Sequence, residues 1–245
     1  MLGIKGKAVA IAGASSGIGA ATALHLAGRG ARLVLGARRE ELLKDLVARI
    51  EDVGGEAAAV PVDVRNRADL ERLVTTTQER YGRLDVLISN AGSMSVSPFD
   101  DLRTEEWDLM VDVNIKGVLN GIAAALPVFR GQRSGHFIHT ASTAAYKVVP
   151  AQAVYAATKT AVKVLTEGLR QEAGPNLRVT LISPGFTNTD GIGKGGSPEV
   201  AAALIAQRDA MAMPPDAIAR AVAFAIEQPE SIDVGEIVVR PTAQG

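Results

Sequence analysis

Short apolar runs alternate with helical stretches along this chain of 245 residues. The runs have the length of buried strands and cover 8–12, 31–36, 57–62, 84–89, 135–140, 177–183 and 236–240. The helical stretches cover 17–29, 39–53, 66–81, 104–130, 152–173 and 197–227, and Met213-Pro214-Pro215 divides the last one. Strands alternating with helices favour a parallel sheet covered on both faces. The pattern therefore predicts an α/β fold, a doubly wound parallel sheet of about seven strands, in a single domain over 1–245.

A glycine-rich turn joins the first strand to the first helix. Its sequence is Gly13-Ala14-Ser15-Ser16-Gly17-Ile18-Gly19, with the spacing G-x-x-x-G-x-G. Such a turn lets the backbone approach a pyrophosphate, and the helix N-terminus adds N–H donors and a favourable dipole. The alternative is a tight turn without a ligand. Its place between strand and helix favours a nucleotide site formed by Gly13, Ser15, Ser16, Gly17, Ile18 and Gly19.

The residues after the second strand bear on the choice of dinucleotide. They are Gly36, Ala37, Arg38 and Arg39, and no carboxylate appears before Glu40. An acidic residue at this place binds the ribose 2′-hydroxyl of NAD, whereas arginine binds the 2′-phosphate of NADP. We expect NADP(H), with Arg38 as the main contact and with Arg39 and Ser15 assisting it. The alternative is that both arginines are solvated residues at the start of a helix.

Tyr155 and Lys159 are four residues apart on a predicted helix and follow Ser142 by thirteen residues or more. Residues at i and i+4 share a helix face, so the phenol and the ammonium can reach one cleft. A phenol has a pKa of about 10, and a cation at about 4 Å contributes roughly 4 kcal/mol at an effective dielectric of about 20. One lysine is therefore enough to tune Tyr155 for proton exchange. The alternative is a surface ring lying over an aliphatic stem.

Several motifs occur in a characteristic order along the chain. They are Gly13–Gly19, Asn90-Ala91-Gly92, Asn114, Ser142, Tyr155, Lys159 and Pro184-Gly185. The ordered set resembles the short-chain dehydrogenase/reductase family in its shorter form, over nearly the whole chain. The resemblance implies a Rossmann sheet and hydride transfer to or from a nicotinamide cofactor.

The resemblance also implies roles for four catalytic residues. Ser142 would hold the substrate oxygen, and Tyr155 would exchange a proton with it. Lys159 would lower the pKa of Tyr155 and bind the nicotinamide ribose. Asn114 would hold a water that links Lys159 to solvent.

Further cofactor contacts follow from the same resemblance. Asp63, followed by Val64, matches the position that contacts the adenine of the cofactor. Asn90, Ala91 and Gly92 match the positions that line its ribose side. The nicotinamide carboxamide would meet Pro184, Gly185, Thr187 and Thr189. Two loop-bracing positions depart from the family pattern, at Ala12 and Ser89. The segment Gly191–Ser197 falls where the family has its substrate lid, and its alternative is a plain surface loop.

Composition and charge limit the partners, metal sites and cellular location that can be expected of this protein. The 26 basic and 27 acidic side chains leave a net charge of −1, so neither nucleic acid nor an anionic membrane is an expected partner. The absence of cysteine excludes disulfides and thiolate nucleophiles. His136 and His139 would lie on opposite faces of a strand, so no metal site is expected. We found neither a signal-peptide pattern nor an apolar stretch long enough to span a bilayer, which makes the cytoplasm the expected location.

The resemblance leaves three functions open: a carbonyl reductase or alcohol dehydrogenase, a 3-oxoacyl-carrier-protein reductase, and a non-catalytic NADP sensor. The tail Gly235–Pro241 and the complete catalytic set favour the first. The resemblance to the family also implies a homo-oligomer, a dimer or tetramer, that forms through helices rich in small residues.

The candidate pocket residues are mostly small or apolar and favour an uncharged or weakly polar ketone. They are Ser93, Met94, Ala144, Val148, Val149, Gln152, Phe186 and the loop from Gly191. The side chains of Lys147 and Lys194 are close enough in sequence to extend into this pocket.

Overall fold

The structure, a computed structural model, describes residues 3–244. Its strands form one parallel seven-stranded sheet in the order β3-β2-β1-β4-β5-β6-β7. The strands are β1 (Ala8–Ala12), β2 (Arg32–Ala37), β3 (Glu56–Pro61), β4 (Val86–Ser89), β5 (Gly135–Thr140), β6 (Leu177–Pro184) and β7 (Glu236–Val239). This arrangement confirms the predicted doubly wound parallel sheet.

Helices cover both faces of the sheet. They are α1 (Gly17–Ala27), α2 (Glu40–Glu51), α3 (Arg67–Tyr81), α4 (Thr104–Met110), α5 (Gly117–Gln132), α6 (Ala153–Ala173), α7 (Pro198–Met211) and α8 (Asp216–Glu227). In β1, Val9 and Ile11 pack with α1, α2 and α8, whereas Ala8 and Ala10 pack with α3, α5 and α6. Alternate residues of a strand point to opposite faces, so one apolar strand supplies both cores. The prolines divide α7 from α8, as expected.

A turn of π-helix, Val111–Lys116, joins α4 to α5 into one continuous helical segment. Within the described residues, the segment Thr104–Gln132 is long and apolar enough to cross a membrane by length and composition. This corrects the expectation that no stretch reaches that length. The contacts indicate a core helix instead, because Ala125 and Phe129 are fully buried in the core on one face of the sheet.

The strand order determines where a ligand can enter. The chain leaves β1 toward β2 on one side and reaches β4 on the other, so the two halves of the sheet diverge at the carboxyl ends of β1 and β4. Open parallel sheets have their binding crevice at this switch point. The glycine-rich turn follows β1 directly, and Asn90 follows β4.

Candidate active site

One cleft of about 1120 Å³ runs along the carboxyl ends of the strands and brings together most of the predicted site. The predicted residues that line it are Gly13, Ser15, Ser16, Gly17, Ile18, Arg38, Arg39, Asp63, Val64, Asn90, Ala91, Gly92, Ser142, Tyr155, Lys159, Pro184, Gly185, Thr187 and Thr189. Gly19 and Asn114 are buried and do not line it. Both ends of the predicted site, more than a hundred residues apart in sequence, therefore face one continuous space.

The glycine-rich turn owes its shape to residues without side chains. Gly13 has φ +89°, and a Cβ there would collide with the backbone nitrogen of Ala91. A Cβ on Gly19 would collide with the carbonyl oxygen of Gly13, which already accepts a hydrogen bond from Asn90 Nδ2 at 2.9 Å. The turn and the segment after β4 thus pack backbone against backbone. This close packing leaves the turn's outer surface free to approach a phosphate.

The arginines after β2 differ in their contacts. Arg39 donates from Nη2 to Ser15 Oγ at 3.0 Å and to Ser16 Oγ at 2.7 Å. Arg38 is exposed at the cleft, where its charge helps to lower the pKa of Asp63. The sequence prediction made Arg38 the main contact and Arg39 a helper. Arg39, at the start of α2, is the arginine already joined to the glycine-rich turn, through both serine hydroxyls.

Asp63 is held by a neighbour that the sequence analysis did not single out. Arg65 makes a bidentate contact with its carboxylate, with Arg65 Nη2 2.5 Å from Asp63 Oδ2. This hydrogen bonding is the largest cause of the lowered pKa of Asp63. The backbone nitrogen of Asp63 donates to Asp69 Oδ2 at 2.9 Å, which fixes the loop after β3.

Ser142 and Tyr155 meet at the opposite end of the cleft. Ser142 caps a short 3-10 turn, and its Oγ accepts from Ala144 N at 3.1 Å. Tyr155 lies in the first turn of α6. Burial raises the pKa of Tyr155, while hydrogen bonding with the Ser142 side chain acts in the opposite direction. Burial is the larger effect, so the phenol stays protonated near neutral pH.

Lys159 is 4% exposed, and its Nζ donates to the carbonyl oxygen of Thr140 at 2.9 Å. Burial lowers the pKa of Lys159 to about 8. Its Nζ lies 5.8 Å from the ring centroid of Tyr155. The expected lowering of the Tyr155 pKa by Lys159 is not seen in the protein alone, because burial raises that pKa and the Ser142 side chain, not Lys159, is the group that acts against it.

Asn114 lies in the π-helical turn and is only 1% exposed. Its Nδ2 donates to Ser93 O at 2.9 Å and to Thr158 Oγ1 at 3.0 Å, and its Oδ1 accepts from Ser93 N at 2.8 Å. It therefore links the segment after β4 to the helix that carries Tyr155 and Lys159. Single π-turns within α-helices occur frequently at functional sites.

Ser89, the residue before Asn90, is one of the two loop-bracing positions that depart from the family pattern. Ser89 Oγ is buried without a hydrogen-bond partner among the described residues. Asn90 provides the bracing instead, since its Oδ1 accepts from Thr140 Oγ1 at 3.3 Å and its Nδ2 bonds Gly13. The loop after β4 is thus attached on both sides despite the serine.

The cleft beyond Tyr155 is mainly apolar. Of the predicted pocket residues, Val148 does not line it and is 67% exposed, because the chain turns outward there. The predicted members that line this end are Ser93, Met94, Ala144, Val149, Gln152, Phe186, Gly191, Lys147 and Lys194, and α7 adds Val200, Ala203, Leu204, Gln207 and Met211.

The segment Gly191–Ser197 is attached to α4 and to the chain after β4. Gly196 N donates to Glu106 Oε2 at 2.9 Å, and Ser197 N donates to Val96 O at 3.0 Å. Glu106 is in turn paired with Arg103, which is the largest cause of its lowered pKa. The segment therefore has a defined anchor beside the substrate end of the cleft.

Sequence reasoning missed several residues that support this site. They are Arg65, Thr140, Thr158, Glu106 and Gln244. Arg65 acts on a side chain two residues away, whereas the others act through a partner distant in sequence or through a backbone atom, and no local motif marks such contacts. Thr158, beside Lys159 in the motif, is the one that a search of the same helix would have suggested.

Comparison with known proteins places the chain in a family. A family model for short chain dehydrogenases matches residues 7–198. An uncharacterized oxidoreductase of Listeria monocytogenes serovar 1/2a is 48% identical over 244 residues, covering 98% of each chain. The chain therefore belongs to the short-chain dehydrogenase/reductase family, as the motifs predicted. It is an oxidoreductase of a family that uses nicotinamide dinucleotides.

Solved structures agree with this assignment. An alcohol dehydrogenase from the archaeon Thermococcus sibiricus, complexed with 5-hydroxy-NADP, has a TM-score of 0.85 at 30% identity over 97% of each chain. A short chain dehydrogenase/reductase from Burkholderia phymatum, in complex with NAD, has a TM-score of 0.89 at 27% identity, covering 97% of this chain and 90% of that chain.

Proposed function

We propose that this protein is an NADP(H)-dependent oxidoreductase that interconverts a ketone or aldehyde and the corresponding alcohol, with Tyr155 as general acid and base. The observation that carries the proposal is the placement of Ser142, Tyr155 and Lys159 on one wall of the cleft whose other end is the glycine-rich turn. Proton exchange and dinucleotide binding are thereby combined in one space.

The residues of the cleft fit a dinucleotide. The backbone contacts at Gly13 and Gly19 leave no room for side chains, as a turn that cradles phosphates requires. A Cβ on Gly92 would lie 3.6 Å from both Lys159 Nζ and Asn114 Oδ1, which places Gly92 directly beside the lysine and the asparagine. The pyrophosphate would rest on the turn, and the nicotinamide end on Pro184, Gly185, Thr187 and Thr189.

The preference for NADP(H) rests on charge. Arg38 and Arg39 line the end of the cleft where the adenosine ribose would lie, and Arg39 orients Ser15 and Ser16 toward the same place. A guanidinium pair suits a dianionic 2′-phosphate. The two solved relatives, one with an NADP analogue and the other with NAD, show that the family accommodates both, so these arginines carry the argument.

When bound, the nicotinamide supplies or accepts the hydride at the carbonyl carbon. Ser142 and Tyr155 would direct their hydroxyls at the carbonyl oxygen, where negative charge develops in the transition state. The raised pKa of Tyr155 keeps its proton available near neutrality, the state that reduction needs. Lys159 would bind the nicotinamide ribose, and Asn114 would hold the water that connects Lys159 with solvent.

The substrate end of the cleft supports an uncharged or weakly polar ketone. Its surface is largely aliphatic, and the lysines there, Lys147 and Lys194, are exposed at the rim. We further propose that the protein acts in the cytoplasm as a homo-oligomer. Exposed apolar side chains on α5 and α6, such as Leu119 and Val164, support this assembly. A monomeric mass in solution would contradict it.

The test compares NADPH with NADH over ketones, aldehydes, β-keto esters and 3-oxoacyl thioesters. Turnover of simple ketones with NADPH preferred would support the proposal, whereas turnover of thioesters alone would indicate a 3-oxoacyl-carrier-protein reductase. Tyr155→Phe should keep NADPH binding and lower turnover by about 10²- to 10⁴-fold. Binding of NADPH without turnover in any wild-type assay would favour a sensor, and near-normal activity of Tyr155→Phe would refute the assignment of Tyr155.

A further inference from the structure

The C-terminal tail returns to the active-site cleft. After β7 ends at Val239, the chain turns back, and Gln244 N donates to Pro241 O at 3.0 Å. The side chain of Gln244 then reaches two segments that are distant in sequence. Its Oε1 accepts from Phe186 N at 2.8 Å, and its Nε2 donates to Thr143 Oγ1 at 3.2 Å. One carboxamide therefore connects the end of β6 with the turn after β5.

Both partners of Gln244 adjoin residues of the proposed reaction. Thr143 follows Ser142, the residue proposed to hold the substrate oxygen, and both line the cleft. Phe186 lies between Gly185 and Thr187, in the segment proposed to receive the nicotinamide carboxamide. The Gln244 side chain itself also lines the cleft. A rigid link between these two segments limits how far the substrate oxygen and the nicotinamide can separate.

The backbone around the link is shaped to admit the tail. A Cβ on Gly185 would collide with Gln244 Oε1 and would lie 2.8 Å from Arg240 Cβ. Gly185 N also donates to Val239 O at 2.7 Å, which extends the pairing of β6 with β7 to the start of the tail. Glycine at 185 therefore creates the space that the Gln244 carboxamide occupies.

A second contact holds the other end of the same turn. Tyr146 Oη lies 3.1 Å from Ser183 Oγ, so the turn that begins at Ser142 is joined to the end of β6 there as well. Gln244 provides the corresponding connection beside Ser142. Without Gln244 the turn keeps this contact and the bond from Ala141 N to Ile182 O at 2.7 Å, and Thr143, which lies between them, loses its link to the Phe186 segment.

We propose that Gln244 is a positioning residue for the reaction, holding the Ser142 turn and the Phe186 segment at a fixed separation. The inference rests on the proposed function, since it assigns Gln244 a role in that same site. Gln244 does not exchange protons or hydride. It acts through Thr143 and Phe186, and its effect should appear in turnover more than in substrate binding.

The kinetic test uses Gln244→Met, which keeps the length of the side chain and removes both hydrogen bonds. We expect kcat to fall about tenfold, the scale of one or two hydrogen bonds, with a smaller change in KM for the carbonyl substrate. Gln244→Glu should recover most of kcat, because a carboxylate still accepts from Phe186 N and can accept from the Thr143 hydroxyl. Gln228→Met is the control, since within the described part of the chain the Gln228 carboxamide donates only to Phe224 O, four residues earlier. Equal kcat in Gln244→Met and the control would overturn the proposal.

A double-mutant cycle separates positioning from a general loss of stability. Thr143→Val keeps the branched shape and removes the acceptor of the Gln244 amide. If the two residues act through one bond, the double variant loses no more kcat than Gln244→Met alone. Losses that multiply would show independent effects and would overturn the link through Thr143. The Thr143→Val variant also serves if Gln244→Met does not fold.

Hydrogen exchange tests the link without any turnover. The amide of Phe186 loses its acceptor in Gln244→Met and should exchange faster, whereas in Thr143→Val it keeps that acceptor and its protection. This readout remains valid if the wild-type protein reduces no carbonyl in the panel, so failure of the proposed function and failure of this inference are distinguishable. Unchanged protection of Phe186 in Gln244→Met would refute the contact itself.

Discussion

Lys159 places a nearly buried ammonium beside the proposed reaction site, and this has a measurable cost in stability. The pKa of Lys159 falls from its usual 10.5 to about 8, which at about 1.36 kcal/mol per pKa unit corresponds to roughly 3 kcal/mol of disfavoured charge at neutral pH. Lys159→Met removes the charge and keeps the length of the chain. It also leaves the carbonyl oxygen of Thr140 without this donor, a loss of about 1 kcal/mol. We expect the free energy of unfolding at pH 7 to increase by about 2 kcal/mol.

The pH dependence provides the sharper test. Between pH 8 and 10.5 the unfolded chain carries a proton on Lys159 that the folded chain does not, so the free energy of unfolding of the wild type rises with pH in this window. From pH 7 to pH 9.5 the rise attributable to Lys159 is about 2 kcal/mol. Lys159→Met lacks this contribution, and the two curves should therefore converge near pH 9.5. Up to that pH the raised pKa of Tyr155 interferes little, because the phenol is protonated in the folded state and mostly protonated in the unfolded state.

The assay is urea unfolding of wild type and variant, without cofactor, at the same protein concentration and at half-unit steps from pH 7 to pH 9.5. Lys44→Met is the control, because Lys44 is an exposed lysine paired with Glu41, and that pairing raises its pKa. This control should change stability little and show no convergence in the window. A Lys159→Met variant that is less stable than wild type at pH 7, or that keeps the wild-type pH slope, would refute the argument from burial.

Four further substitutions test the cofactor end and the bracing of the site. Gly13→Ala should abolish NADPH binding or folding, because φ is +89° there and the new Cβ meets Ala91 N; a normal Kd by titration would contradict the close packing. Asn114→Leu should lower the melting temperature and turnover together, since buried partners lose their hydrogen bonds, and an unchanged melting scan would argue against that role. Arg38→Ala and Arg39→Ala should each raise KM for NADPH about tenfold or more and leave KM for NADH nearly constant; equal losses for both cofactors would remove the basis for the NADP preference.

Much of the fold could be predicted because its signals are local. Strand-length apolar runs, glycine turns and the Pro214-Pro215 break each depend on residues close in sequence, and the structure reproduces them. The π-helical turn at Val111–Lys116 could not be predicted, and the partners of Asn114 within it, Ser93 and Thr158, are distant along the chain. The outward turn at Val148 was missed for a similar reason, since an apolar residue carries no mark of the side to which the chain bends.

The candidate site likewise has a part that local sequence reveals and a part that depends on tertiary contacts. The residue types and spacings within short segments are enough to recognise Ser142, Tyr155, Lys159 and the glycine-rich turn. The sequence by itself thus determined the fold class, the family and many of the residues that line the cleft.

Only the tertiary structure decided how those residues are tuned. Burial raises the pKa of Tyr155 and lowers that of Lys159, and burial depends on everything that packs around a group. The contact of Gln244 with Thr143 spans 101 residues, and no pattern along the chain encodes which distant atoms will meet. Local spacing can specify a motif, but desolvation and long-range hydrogen bonds exist only once the chain is folded.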